Sequence, residues 1–141
     1  MVNRVDPEGL SPLTDSIGMA FGDLGVLFGG DKPQAHTDSR AGNVYVIEYA
    51  NNPILTWFDV QGITIGNIIC YSIDPDNEPE VRAHELAHSR QYAVLGDAYL
   101  PAHISAQVQS FITTGTYAKG NPLEIGPYAP DHTMWPWGEE W

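Results

Sequence analysis

The hydrophobic and polar positions of this chain follow a strand-like pattern through its middle and a helical one afterwards. Asn43–Tyr49 (N-V-Y-V-I-E-Y) and Ile54–Val60 (I-L-T-W-F-D-V) are rich in β-branched and aromatic residues, with Ala50–Pro53 as a turn between them. Gln61 and Gly62 lead into a third run, Ile63–Ser72, in which Gly66 marks either a bulge or a close backbone approach. These runs predict a short antiparallel β-meander. The stretch V-R-A-H-E-L-A-H-S-R-Q-Y-A-V-L-G (Val81–Gly96) predicts a helix, with Asn77 and Glu80 as a capping box, Pro79 in the first turn and Gly96 as the stop.

Asp97–Tyr117 predicts a second helix with Pro101 in or near its first turn. Its residues Ile104, Val108, Phe111 and Ile112 recur at helical spacing and are expected to face the core. After a break at Ala118–Gly120, Asn121 as N-cap and Pro122 at the first position begin a short third helix toward Tyr128. The expected fold class is therefore α+β: a short meander, a long helix and two further helices.

The flanking segments are less regular. Ser11–Gly30 is apolar but interrupted by glycine, and reads as a packed arm with Thr14 or Asp15 able to cap at most a short helix. Asp31–Gly42 reads as a loop in which His36 is solvated. Asp74, Asp76 and Glu78 lack the glycine and distal glutamate of an EF-hand loop, so their charge is expected to favour the start of the following helix. The tail Ala129–Trp141, with three tryptophans, is expected to pack back on the domain or on a partner.

Composition narrows the function. The 141 residues suit a single domain with a real core, and a net charge of −12 with only six Lys and Arg argues against nucleic acid as a partner. Cys70 is the only cysteine, so no internal disulfide forms; in its apolar run it is expected to be a buried small hydrophobe. No segment reaches the roughly 18 to 20 apolar residues of a membrane span, and no secretory pattern opens the chain.

The chemistry lies in the long helix. His84 and His88 fall one turn apart on one face, within reach of a single metal ion, and Glu85 lies beside them. This H-E-x-x-H spacing suits two imidazoles on zinc, with the adjacent carboxylate as general base toward water. Gln91 shares the metal-facing stripe and is expected to orient a ligand or the substrate. A catalytic zinc needs a third protein ligand, for which Glu124 in the third helix is the expected carboxylate. Tyr117, Tyr128 and His132 are candidate oxyanion donors, and His103 lies where it could approach the site.

Two resemblances sharpen this reading. The order H-E-L-A-H-S-R-Q-Y from His84, then L-G-x-x-Y-L-P, then N-P-x-E, resembles small bacterial HExxHxxQ metallopeptidase-like domains, and implies Zn2+ held by His84, His88 and Glu124. Members often continue after that glutamate with E-A, whereas this chain has Ile125, Gly126 and Pro127. Residues 2–10 (V-N-R-V-D-P-E-G-L) resemble the end of the core of Rhs (YD-repeat) proteins, N-P-x-N-x-x-D-P-x-G-L, through Asn3, Asp6, Pro7, Gly9 and Leu10.

The second resemblance implies a remnant of the core over residues 1–10 and a processing junction between Leu10 and Ser11. It also implies a released toxin domain over 11–141, an encapsulating Rhs core, a contact-dependent route of secretion and a cognate immunity protein. Chain acidity suggests that the inhibitor presents a basic surface. The expected activity is hydrolysis of peptide bonds in a target-cell protein. A zinc amidase acting on cell-wall peptides, and a binding toxin with a structural metal, are the alternatives.

Overall fold

The computed structural model describes residues 12–38, 44–116 and 121–128. The chain is α+β, with a four-stranded sheet packed between helices. It opens with a helix, α1 (Pro12–Leu27), in place of the expected arm. Its glycines do not break it, because they form the face that meets the sheet. A Cβ at Gly18 would stand 2.7 Å from the Ile68 Cβ, and at Gly22 and Gly25 it would overlap the Tyr49 ring and the Asn52 side chain. Close approach to the sheet outweighs the loss of helix propensity.

Strand β1 (Gln34–Asp38) occupies part of the expected loop and pairs antiparallel with β2 (Val44–Tyr49), so His36 sits opposite Val46 in the sheet. The second strand-like run folds instead as a short helix, α2 (Pro53–Trp57). There Asn52 Oδ1 accepts a hydrogen bond from Ile54 N at 2.8 Å and Pro53 presets the first turn, and this local cap prevails over the strand preference of the side chains.

The third run is a hairpin, β3 (Gly62–Ile65) and β4 (Ile68–Tyr71), closed by Gly66 and Asn67. Gly66 has φ 68°, the left-handed value that a two-residue hairpin loop needs at its first position, and it is also a close approach, since a Cβ there would stand 2.5 Å from Asp15 Oδ1 of α1; it is not a bulge. The sheet order is β1-β2-β4-β3, and β2 pairs parallel with β4. The arrangement is thus mixed rather than a meander, because α2 carries the chain across before β3 begins.

Central strand β4 is buried along its whole length. On one face of the sheet Tyr49, Leu55, Ile68 and Cys70 pack with Phe21 and Val26 of α1. On the other, Val46, Ile69 and Tyr71 pack with Val81 and Leu86 of α3 (Pro79–Leu95). The register of α3 on the sheet is pinned by Glu48, which accepts from the Tyr71 hydroxyl at 2.7 Å and from the Arg82 guanidinium twice at 3.2 Å. Arg82 also reaches Asp76 at 2.9 Å.

Asn77 does not cap α3. It ends a single tight turn, Pro75–Asn77, capped by Asp74, while Glu78 occupies the N-cap of α3 with Pro79 at its first position. Gly96, with φ 58°, ends the helix as expected. Helix α4 (Tyr99–Thr114) follows, and its orientation reverses the expectation: Tyr99, His103 and Ser110 are buried, whereas Ile104, Val108, Phe111 and Ile112 are 49–76% exposed. The last element is α5 (Pro122–Tyr128), whose Asn121 Oδ1 accepts from Leu123 N at 2.9 Å. Among the described residues no helix is long and apolar enough to cross a membrane.

Candidate metal centre

The buried side of α3 turns His84, Glu85 and His88 toward β3, α4 and α5. His84 Nε2, His88 Nε2 and Glu124 Oε1 stand 3.2 Å from one another on every side of a triangle. Atoms bound about 2.0–2.1 Å from one zinc ion at tetrahedral angles stand about 3.3 Å apart, so the triangle already has the size of one face of such a tetrahedron. With protons on the Nε2 atoms the three groups bond to one another; without them their lone pairs face a common point, where a cation can take the protons' place. The donor set fits a metal ion, and among the described residues this is the group of His, Cys, Asp and Glu so placed.

Electrostatics point the same way. Burial works against charge at both His88 and Glu124, but their mutual contacts prevail. Hydrogen bonds from His84 and His88 hold the Glu124 carboxyl well below the usual range, and the Glu124 contact and charge, with that of Glu85, hold His88 above its usual value. A carboxylate that attracts a proton to this point attracts a metal cation to it as well.

Gln91 secures the geometry. Its Oε1 stands 2.8 Å from His88 Nδ1 and, being an acceptor, holds a proton on Nδ1, so that when the ring is neutral the Nε2 lone pair faces the triangle. Its Nε2 donates to the Leu123 carbonyl at 2.8 Å, so the same amide brings α5 and Glu124 to the histidines. His84 is held less closely: its buried Nδ1 has no partner among the described residues.

Glu85 is buried beside the triangle and outside it, with Oε2 3.9 Å from His84 Nε2. Its other oxygen accepts from the Thr64 hydroxyl at 2.7 Å. Gly62 makes room for it, since a Cβ there would lie 2.9 Å from Glu85 Cγ. Neither β3 residue stands out in the sequence, where the only signal is their alternation on a strand preceding the motif. His103 is drawn in too, 3.2 Å from His88 Nδ1. Burial, and then the charge of His88, lower its pKa to about 4, so it is neutral near pH 7. The Tyr128 ring packs at a tilt against that of His84, with centroids 4.2 Å apart and planes at 54°. Tyr117, His132 and the Leu10–Ser11 junction lie outside the described residues.

The triangle opens on a cleft of about 900 Å³, bordered by β3, α3, the start of α4 and α5. Comparison with family models, with curated proteins and with solved structures gave no match.

Proposed function

We propose that this chain is a zinc-dependent peptidase and the toxic effector domain of an Rhs-type protein. The observation that carries the enzymatic part is the 3.2 Å triangle of His84, His88 and Glu124 with the buried carboxylate of Glu85 beside it. When bound, zinc supplies Lewis acidity and lowers the pKa of water at its open position. His84, His88 and Glu124 hold the ion. Glu85, steadied by Thr64, takes the proton of the attacking water and passes it to the leaving amine. Tyr128, exposed at the cleft beside His84, supplies a hydroxyl toward the developing oxyanion.

Strand β3 supports a polypeptide substrate. Among the described residues it is an edge strand paired with β4 alone; on its other edge the Tyr99 hydroxyl donates to the Thr64 carbonyl, and the stretch before Thr64, which lines the cleft from Gln61 to Ile63, is where an extended segment can lie alongside it. The effector reading rests on the D-P-x-G-L resemblance before Ser11, and with it come release after Leu10, an encapsulating core and an immunity protein.

The test is expression of the chain and of its Glu85→Ala variant in bacteria, in the cytoplasm and with export to the periplasm, beside zinc analysis of the purified proteins. The expected result is one zinc per chain in both and growth arrest by the wild type alone. Equal killing by both would overturn the enzymatic reading. Absence of zinc from the wild type would overturn the metal centre.

A further inference from the structure

The two ends of the cleft differ in chemistry. Gly62 pairs with Tyr71, whose cluster with Val46 and Ile69 packs with Val81, and Asp59, Val60 and Gln61 line the cleft together with Glu80 and Val81, so the starts of β3 and α3 border one end. The Tyr99 hydroxyl donates to the Thr64 carbonyl at 3.2 Å, so the second half of β3 and the start of α4 lie together at the other. Asp59 and Glu80 line the first end, and Leu100 and Ile104 the second. No Lys or Arg lines the cleft among the described residues.

The acidic end is not explained by the metal centre, whose carboxylates, Glu85 and Glu124, match the double charge of the ion. Asp59 is exposed and lies next to Val60, itself 38% exposed, which suits the aliphatic stem of a Lys or Arg whose charged head reaches Asp59. The opposite wall belongs to a helix without a charged residue, and Ile104 on it is 52% exposed and, among the described residues, belongs to neither core cluster. An apolar wall open to the mouth of a catalytic cleft is covered when an apolar side chain enters.

We infer that the cleft selects polypeptide segments with a bulky apolar residue on the α4 side of the bond to be cut and a basic residue on the Asp59 side. This rests on the peptidase reading and adds the substrate class to it. The charge preference is expected to be about fivefold, as for a partly exposed pair, and the apolar preference about tenfold.

The experiment offers the zinc-loaded chain a library of acetylated decapeptides and maps the cleaved bonds by mass spectrometry. In parallel, fluorescein-labelled members are titrated onto the Glu85→Gln variant and binding is read by anisotropy. Asp59→Lys is expected to abolish or reverse the basic preference, and Ile104→Ser to reduce the apolar one. Both positions are exposed, and because Asp59 has φ 57°, which asparagine adopts as readily, Asp59→Asn is read beside Asp59→Lys and is expected to abolish the basic preference without a backbone change.

Cleavage without these preferences, or preferences that no variant moves, would overturn the inference and leave the peptidase reading intact. Binding with these preferences but no cleavage would support the cleft's selectivity and overturn the peptidase reading. Neither binding nor cleavage would overturn both.

Discussion

The Thr64 hydroxyl donates to Glu85 at 2.7 Å across the gap between β3 and α3, and so ties the proposed general base to the strand along which a substrate would lie. Thr64→Val keeps the shape and removes the donor. The expected outcome is a roughly tenfold loss of kcat, comparable to the loss of an outer hydrogen bond in other metal sites, with zinc content unchanged and recovery in Thr64→Ser. Steady-state kinetics and metal analysis of the three proteins check it.

Gln91 is expected to govern metal affinity rather than chemistry. Gln91→Ala removes the acceptor on His88 Nδ1 and the donor to Leu123, and should weaken zinc binding roughly 10- to 100-fold. Competition with a chromophoric chelator measures this. Gln91→Glu, which keeps the acceptor and loses the donor, should fall between the two. Removing zinc from the wild type should lower its melting temperature, because the ion binds only the folded arrangement.

The long motif was legible because helical spacing alone brings His84, Glu85, His88 and Gln91 to one face. Glu124 was legible because Asn121 and Pro122 announce a helix start. Thr64 and Gly62 were not, since only tertiary packing brings them to Glu85, and His103 was legible only as a residue able to approach the site, because its helix could as well have turned it to solvent. The apolar face of α4 was correctly periodic and wrongly oriented. Period says that a helix has two faces, but here the buried one is the face that carries Tyr99 and His103 to the centre. Strand preference misled at Ile54–Val60 because a capped Asn-Pro start acts locally and side-chain preference does not.

The glycine stripe of α1 yields a prediction about stability. Alanine is the better helix former by about 1 kcal/mol. At Gly22, however, its methyl would overlap the Tyr49 ring, and overpacking of this kind costs about 1–3 kcal/mol or more. Gly22→Ala is therefore expected to destabilise the protein despite its propensity, read as a lower midpoint in urea at unchanged m-value.

Cys70 is expected to be inert in the native protein. Burial, opposed only in part by a hydrogen bond with Asn52, pushes its thiol from 9.0 up to about 12. The folded chain thus holds the proton where the unfolded chain has released it. Iodoacetamide at pH 10 should label the unfolded chain and leave the folded one unmodified. The stability this difference contributes is full below pH 9 and declines as pH rises toward 12.

The contacts of His88 form a closed circuit: Nε2 meets Glu124, Nδ1 meets Gln91, Gln91 holds the Leu123 carbonyl, and Leu123 adjoins Glu124. One imidazole thereby grips α5 from both of its nitrogens. A change that opens the circuit at any point loosens the short helix and the ligand it carries together. An ion held by His84, His88 and Glu124 would brace a clasp that the protein's own hydrogen bonds already close, so its release is expected to loosen α5 without undocking it.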